Sequence, residues 1–144
     1  MTSFHEGKHA AQFILTEANG QRSRDSVNIP TGKKFSAGTV LVTATGSPYV
    51  SGAGPLCVAI YGADTTAAGA VAIQIACIAR DAELNRHAMS WTNPYDDTAI
   101  GAAATELAKA GVIIRGTHLP SPADDNTLAA DETSSEPQQP PLSL

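Results

Sequence analysis

The apolar positions of this chain fall in short runs punctuated by Gly, Pro and Asn, and the longest run occupies residues 69–85, GAVAIQIACIARDAELN. Val71, Ile73, Ile75 and Cys77 lie on one side of a period-two alternation, with Ala70, Ala72, Gln74, Ala76 and Ile78 on the other. That is the pattern of a central strand covered on both faces. A helix competes for the same letters. However, Val and Ile supply most of the bulk and lose rotamer freedom in a helix, and Gly69 bounds the run, so the strand is the stronger reading. At its end Arg80, Asp81, Glu83 and Asn85 are expected to leave the core within one short turn.

The rest of the pattern gives short elements. Residues 1–11 carry no apolar period and read as an extended arm. Residues 12–16 (QFILT) form a strand, and EANGQRSRD follows as a tight turn in which Asn19-Gly20 supplies positive φ. Residues 26–29 alternate weakly and stop at Pro30. Residues 39–45 (TVLVTAT) are a clear strand, Tyr49 and Val50 add a short return, residues 56–61 form the next strand, and GADTTAAG is a loop. One helix is predicted over residues 98–110. Asp96 and Asp97 cap its positive end, Ile100, Ala103, Ala104 and Leu107 make its apolar stripe, and Gly111 is its left-handed stop. VIIR at 112–115 returns as a last strand. The expected fold is therefore mainly β with one α-helix, a compact domain over residues 12–116 between an N-terminal arm, 1–11, and a C-terminal tail, 117–144.

Composition narrows the function classes. A chain of 144 residues supports one modest core. It has no apolar run of about 20 residues to span a membrane, and its first residues have no apolar signal core, so no secretion by that route is expected. Cys57 and Cys77 sit inside predicted strands without CxxC spacing and read as buried thiols in a reducing compartment. Residues 117–144 contain five acids and no Lys or Arg, which equals the formal net charge of −5. The preceding body balances nine basic against nine acidic residues. A neutral body with no basic stripe offers no footprint for nucleic acid. The tail, rich in Pro, Ser, Thr and acids, cannot bury enough surface to order itself.

Several residues invite a chemical reading. His5-Glu6-Gly7-Lys8-His9 matches HExxH literally, which on a rigid buried helix would bind zinc with the Glu as general base. Here Gly stands at its centre, a chain end lies four residues away and no apolar period flanks it, so the match reads as chance in a polar arm. Gly52-Ala53-Gly54 completes no phosphate-loop motif. Asp81, Glu83 and His87 lack a nucleophile or a metal cluster beside them and read as a solvated or subunit-contact group. Trp91 and Tyr95 around Asn93-Pro94 read as a packed corner, although both residue types also serve as interface anchors. No catalytic constellation survives, and no cofactor is expected.

Taken in order, FILTEANGQRSRD, FSAGTVLVT, CIARDAELNRHAMSW and AIGAAATELAKAGVIIR resemble the lambda-type head decoration proteins of tailed bacteriophages. The likeness covers about residues 13–115 and leaves out the acidic tail. It implies a β-clip-like fold and a non-enzymatic cement protein. It also implies a homotrimer at threefold and quasi-threefold positions of the expanded capsid, made in the host bacterial cytoplasm and carried on the outer surface of the virion. The implied partners are the major capsid protein and other copies of the chain, with neighbouring trimers reached through the tail and neither nucleic acid nor membrane involved. On this reading Phe4, His5 and His9 belong to a capsid-gripping arm, with Phe13 just beyond it. Arg22, Arg24 and Asp25 either touch capsid or trimer neighbours or brace their turn against residues 80–83. Arg80, Asp81, Glu83, Asn85 and Trp91 complete the expected interface. The alternatives are a small zinc-dependent hydrolase built on HEGKH and a virion-surface adhesin.

Overall fold

The structure, a computed structural model, describes residues 8–93 and 96–116. In chain order the elements are β1 (Ile14–Glu17), β2 (Arg24–Ile29), β3 (Lys34–Phe35), β4 (Val40–Val42), β5 (Ser47–Pro48) and β6 (Leu56–Ala59). Then come β7 (Ala63–Asp64), β8 (Ile73–Ile78), β9 (Ala82–Asn85), a 3₁₀ turn (Arg86–Ala88), α1 (Asp97–Ala108) and β10 (Val112–Arg115). The fold is mainly β with one α-helix among the described residues.

Three sheets share the work. The largest has the order β2-β8-β6-β4-β5 and is antiparallel throughout, β1-β9-β10 is a smaller mixed sheet, and β3 pairs with β7. The β6 strand is at the centre of the large sheet, and all four of its residues are buried. Leu56 and Val58 face a core built with Phe13, Val40, Ile78, Leu84, Leu107 and Val112. Cys57 and Ala59 face a second cluster with Val27, Ile29, Leu41, Ile75 and Cys77. The β6 strand is thus buried on both faces over its whole length, and β8 over its second half, where Ile75 and Cys77 face the second cluster and Ala76 and Ile78 the first.

The 69–85 run departs from its reading in an informative way. Residues 69–72 are not strand, Val71 is exposed, and β8 starts at Ile73. Beyond Ile78 the chain leaves the core only briefly: Arg80 and Asp81 are exposed, and Glu83 and Asn85 partly so. It turns a corner at Arg80-Asp81 and re-enters as β9 in a different sheet, with Ala82 and Leu84 buried. Asp81 makes the corner by adopting a left-handed backbone, φ 47°, which an Asp tolerates better than most residues. The apolar letters of the run thus serve two sheets.

Other boundaries shift for local reasons. Ala11, at φ 61°, and a turn closed by Ile14 N–H donating to the Ala11 carbonyl at 3.1 Å delay β1 to Ile14. The β4 strand stops at Val42 because Gly46 N–H donates back to the Val42 carbonyl at 2.8 Å, and the return strand is Ser47–Pro48. The helix starts one residue earlier than expected and ends at Ala108. Its Asp96 cap accepts from Ala99 N–H at 3.0 Å, and Gly111 at φ 80° terminates the following turn. Residues 8–11, expected within the arm, lie against the body: Lys8 Nζ donates to the Met89 carbonyl and Ala11 N–H to the Ile60 carbonyl.

Candidate functional site

The charged motif residues converge on the corner between β8 and β9. Ser23, completely buried, is its centre. Its hydroxyl donates to the Asp81 carbonyl at 2.7 Å and accepts from Ala18 N–H at 2.8 Å, while its own carbonyl accepts from Ala79 N–H at 2.9 Å. Asp81 N–H in turn donates to the Ala110 carbonyl at 3.2 Å, and Ala82 N–H to the Gly111 carbonyl at 3.2 Å. The β1–β2 turn, the β8–β9 corner and the end of α1 are therefore tied together through backbone groups that have no sheet partner of their own. Gly111 suits that position through its left-handed backbone, φ 80°, while a Cβ there would press only on the movable Oδ1 tip of Asp81 at 2.7 Å.

Ion pairs surround this knot. Arg24 grips Glu17 through Nε at 3.0 Å and a terminal nitrogen at 2.9 Å, the bidentate geometry that a guanidinium favours. Arg80 meets Asp25 at 3.4 Å, and Arg22 approaches Asp81 at 3.8 Å. The Ser26 amide and then Arg80 hold the Asp25 carboxyl below its ordinary range. On the outer face of the small sheet Arg115 reaches Glu83 at 2.6 Å and holds that carboxyl low as well. All these pairs are largely solvent-exposed, so they add little to stability and their main effect is to fix geometry.

The expected interface residues accordingly separate. Arg22, Arg24, Asp25, Arg80, Asp81 and Glu83 come together as intramolecular bracing at one end of the molecule. Asn85 caps the 3₁₀ turn, its side chain accepting from His87 N–H at 3.0 Å. Phe13 is a core residue, buried against Gly38. His9 is exposed, and its carbonyl accepts from Gln12 N–H at 3.4 Å. Trp91 packs on the main core and donates from Nε1 to the Arg86 carbonyl at 3.1 Å, the packed corner expected of it. Phe4, His5 and the Tyr95 partner of that corner lie outside the described residues, as does most of HEGKH. Among the described residues no three His, Cys, Asp or Glu side chains are grouped to hold a metal ion.

The sequence pattern marks Gly111 as the helix stop but does not single out Ser23, Glu17 or Arg115 as partners in the bracing. A serine between two arginines carries no polarity signal of burial. The one available cue was Glu17, placed to pair with an arginine across the Asn19-Gly20 turn.

The corner's carboxylates and guanidinium groups pair with one another and position the segments around it. Comparison with known proteins agrees with the order of the motifs. The family model described as HDPD, bacteriophage lambda head decoration protein D, matches residues 3–112. Neither the curated proteins nor the solved structures include a significant match. The match takes in both halves of the braced corner and most of the described body, and the chain belongs to the bacteriophage lambda head decoration protein family.

Proposed function

We propose that this decoration protein is a capsid cement. It binds as a homotrimer to the outer surface of the expanded head, at threefold and quasi-threefold positions, and bridges subunits of the major capsid protein against the outward pressure of packaged DNA. The observation that carries this reading is the family match over residues 3–112. A rigid body suits the task, because load passed between neighbours is resisted only by elements that do not shift. The Ser23–Asp81 knot provides that rigidity where two sheets and the helix meet.

Contact with neighbours falls to other groups. Leu15 on edge strand β1, Tyr61 after β6 and Val71 before β8 are large apolar side chains left at the surface, a feature that suits subunit contacts. Residues 1–11 act as the capsid-gripping arm, with 8–11 rooting it on the body and the segment before them adding to an exposed sheet edge with Phe4 as a side-chain anchor. In a trimer the second and third arms engage intramolecularly, so weak individual contacts gain about 10²–10⁴ in avidity. The braced charges at 22–25 and 80–83 act by holding the contact surfaces in place.

The test is sedimentation of purified protein with expanded and unexpanded shells, for the full chain and for a variant lacking residues 1–11. Trimers that pellet only with expanded shells, and lose binding without the arm, are the expected result. A monomer, or undiminished binding by the truncated chain, contradicts the trimer or the arm respectively.

A further inference from the structure

Tyr49, Val50, Trp91, Ala99 and Ile100 line an apolar cleft of about 100 Å³ where the chain after β5 faces the first turn of α1. Val50 on its wall is 71% exposed, an unusual state for a valine beside two aromatic rings. The polar tips of those rings are already engaged. Tyr49 Oη donates to the Gly52 carbonyl at 2.9 Å and Trp91 Nε1 to the Arg86 carbonyl at 3.1 Å. What remains for the cleft is mostly apolar surface, rimmed by Thr92, Asn93 and the Asp96 cap of α1.

The occupant is indicated by where the described body stops. At Gly116 a Cβ would lie 3.2 Å from the His87 ring and 3.3 Å from Arg86 Cβ, and the carbonyl of that same Arg86 holds Trp91. The chain therefore leaves the body beside the cleft. It continues Thr-His-Leu-Pro-Ser-Pro over residues 117–122, before the first tail acid at Asp124. At about 3.3–3.6 Å per extended residue, a segment three to six residues past Gly116 reaches roughly 10–20 Å, enough to enter it. Proline favours the extended polyproline conformation in advance, and flat aromatic clefts recognise such segments.

We propose that residues 119–122, Leu-Pro-Ser-Pro, dock in this cleft of their own chain and pin the base of the acidic tail to the body. Tethering over so few residues gives an effective concentration of about millimolar, so a contact that would be weak between separate molecules closes in most molecules. The inference is independent of capsid binding.

Trp91 is the only tryptophan in the chain, so its fluorescence reads the cleft directly in the full-length protein. The comparison is between the native chain, a variant carrying Leu119→Ser, Pro120→Ser and Pro122→Ser, and a control carrying Pro137→Ser, Pro140→Ser and Pro141→Ser. The expected result is a red shift of emission and stronger acrylamide quenching in the first variant alone, with native values unchanged on dilution. Identical spectra and quenching in all three proteins overturn the proposal. So does a change confined to the 137–141 variant, or shielding that disappears on dilution, which would assign the cleft to another molecule. A stability measurement of the first variant distinguishes lost docking from lost folding: an unfolded variant loses its cooperative transition, and Val50→Asp, which alters the cleft wall and leaves the tail intact, then has to reproduce the red shift.

Discussion

The Ser23 hydroxyl donates a 2.7 Å hydrogen bond to the carbonyl of Asp81, 58 residues away, and that contact closes the corner where the two main sheets meet. Asp81 is held with positive φ, and its carbonyl accepts from Ala18 N–H as well. Ser23→Ala removes the donor and leaves a hole in a site where Ser23 has no exposed surface. The expected loss is about 1–3 kcal/mol of unfolding free energy, read from the shift of a urea midpoint at constant m-value. A loss within experimental error would remove the corner from the account.

Glycine substitutions separate crowding from backbone strain. A Cβ on Gly46 would lie 2.1 Å from the Asn28 carbonyl oxygen, whereas a Cβ on Gly20 meets nothing within 4 Å. Both residues have positive φ, 63° and 74°. Gly20→Ala should therefore cost about 1–2 kcal/mol, the strain alone. Gly46→Ala adds a backbone clash where the β4–β5 turn presses on β2, and is expected to abolish the cooperative transition or lower its midpoint far more than Gly20→Ala does. Equal melting temperatures for the two variants would contradict the close approach.

Much of this was legible in the letters, and the failures have physical causes. The helix was readable because its cap, stripe and terminal glycine agree, and β10 because VIIR follows that stop immediately. The division of the 69–85 run was not. An alternating apolar pattern is the same whether it serves one long strand or two short ones, and the divider is a left-handed backbone at Asp81, a residue type that is equally common in ordinary right-handed turns. The centrality of β6 was only weakly signalled, since LCVA is apolar at every position but shorter than the 69–85 run that competes with it. The charged residues at 22–25 and 80–83 were identifiable as a group. Their partners were not, because pairing across 55 residues, as between Asp25 and Arg80, is set by the sheet register.

Acid should weaken the fold through carboxylates that the native state holds ionised. Asp64 accepts from the Thr66 hydroxyl at 2.5 Å and the Thr66 amide at 3.1 Å, and with Lys34 nearby its pKa falls from 3.8 to about 2. A folded-state pKa below the unfolded one contributes stability above 3.8, and that contribution is lost as pH falls towards about 2. Asp64→Asn should therefore flatten the decline of stability across that window, by an amount reduced by solvent and added salt. The check is a urea titration at a series of pH values. Parallel declines for both proteins would show that the Asp64 contacts do not persist in solution.

Both thiols should be silent in the native protein. Cys57 and Cys77 are free and buried on neighbouring strands, and the contact with the Cys57 sulfur, together with burial, pushes the Cys77 thiol well above its ordinary value. The same contact with the Cys77 sulfur lowers the Cys57 thiol, so for Cys57 burial is the barrier: access to either sulfur requires opening of the core. A colorimetric thiol reagent should label neither residue under native conditions and both in denaturant. Rapid labelling of the folded protein would contradict the buried placement of β6 and β8.

The most direct measurement of the central claim is the resistance of expanded capsids to disruption with and without this protein bound. Shells saturated with the protein should withstand higher temperature or denaturant before they break, and the gain should disappear when residues 1–11 are removed from a chain that still folds. Shells that break at the same point whether or not the protein occupies them would contradict a cementing role.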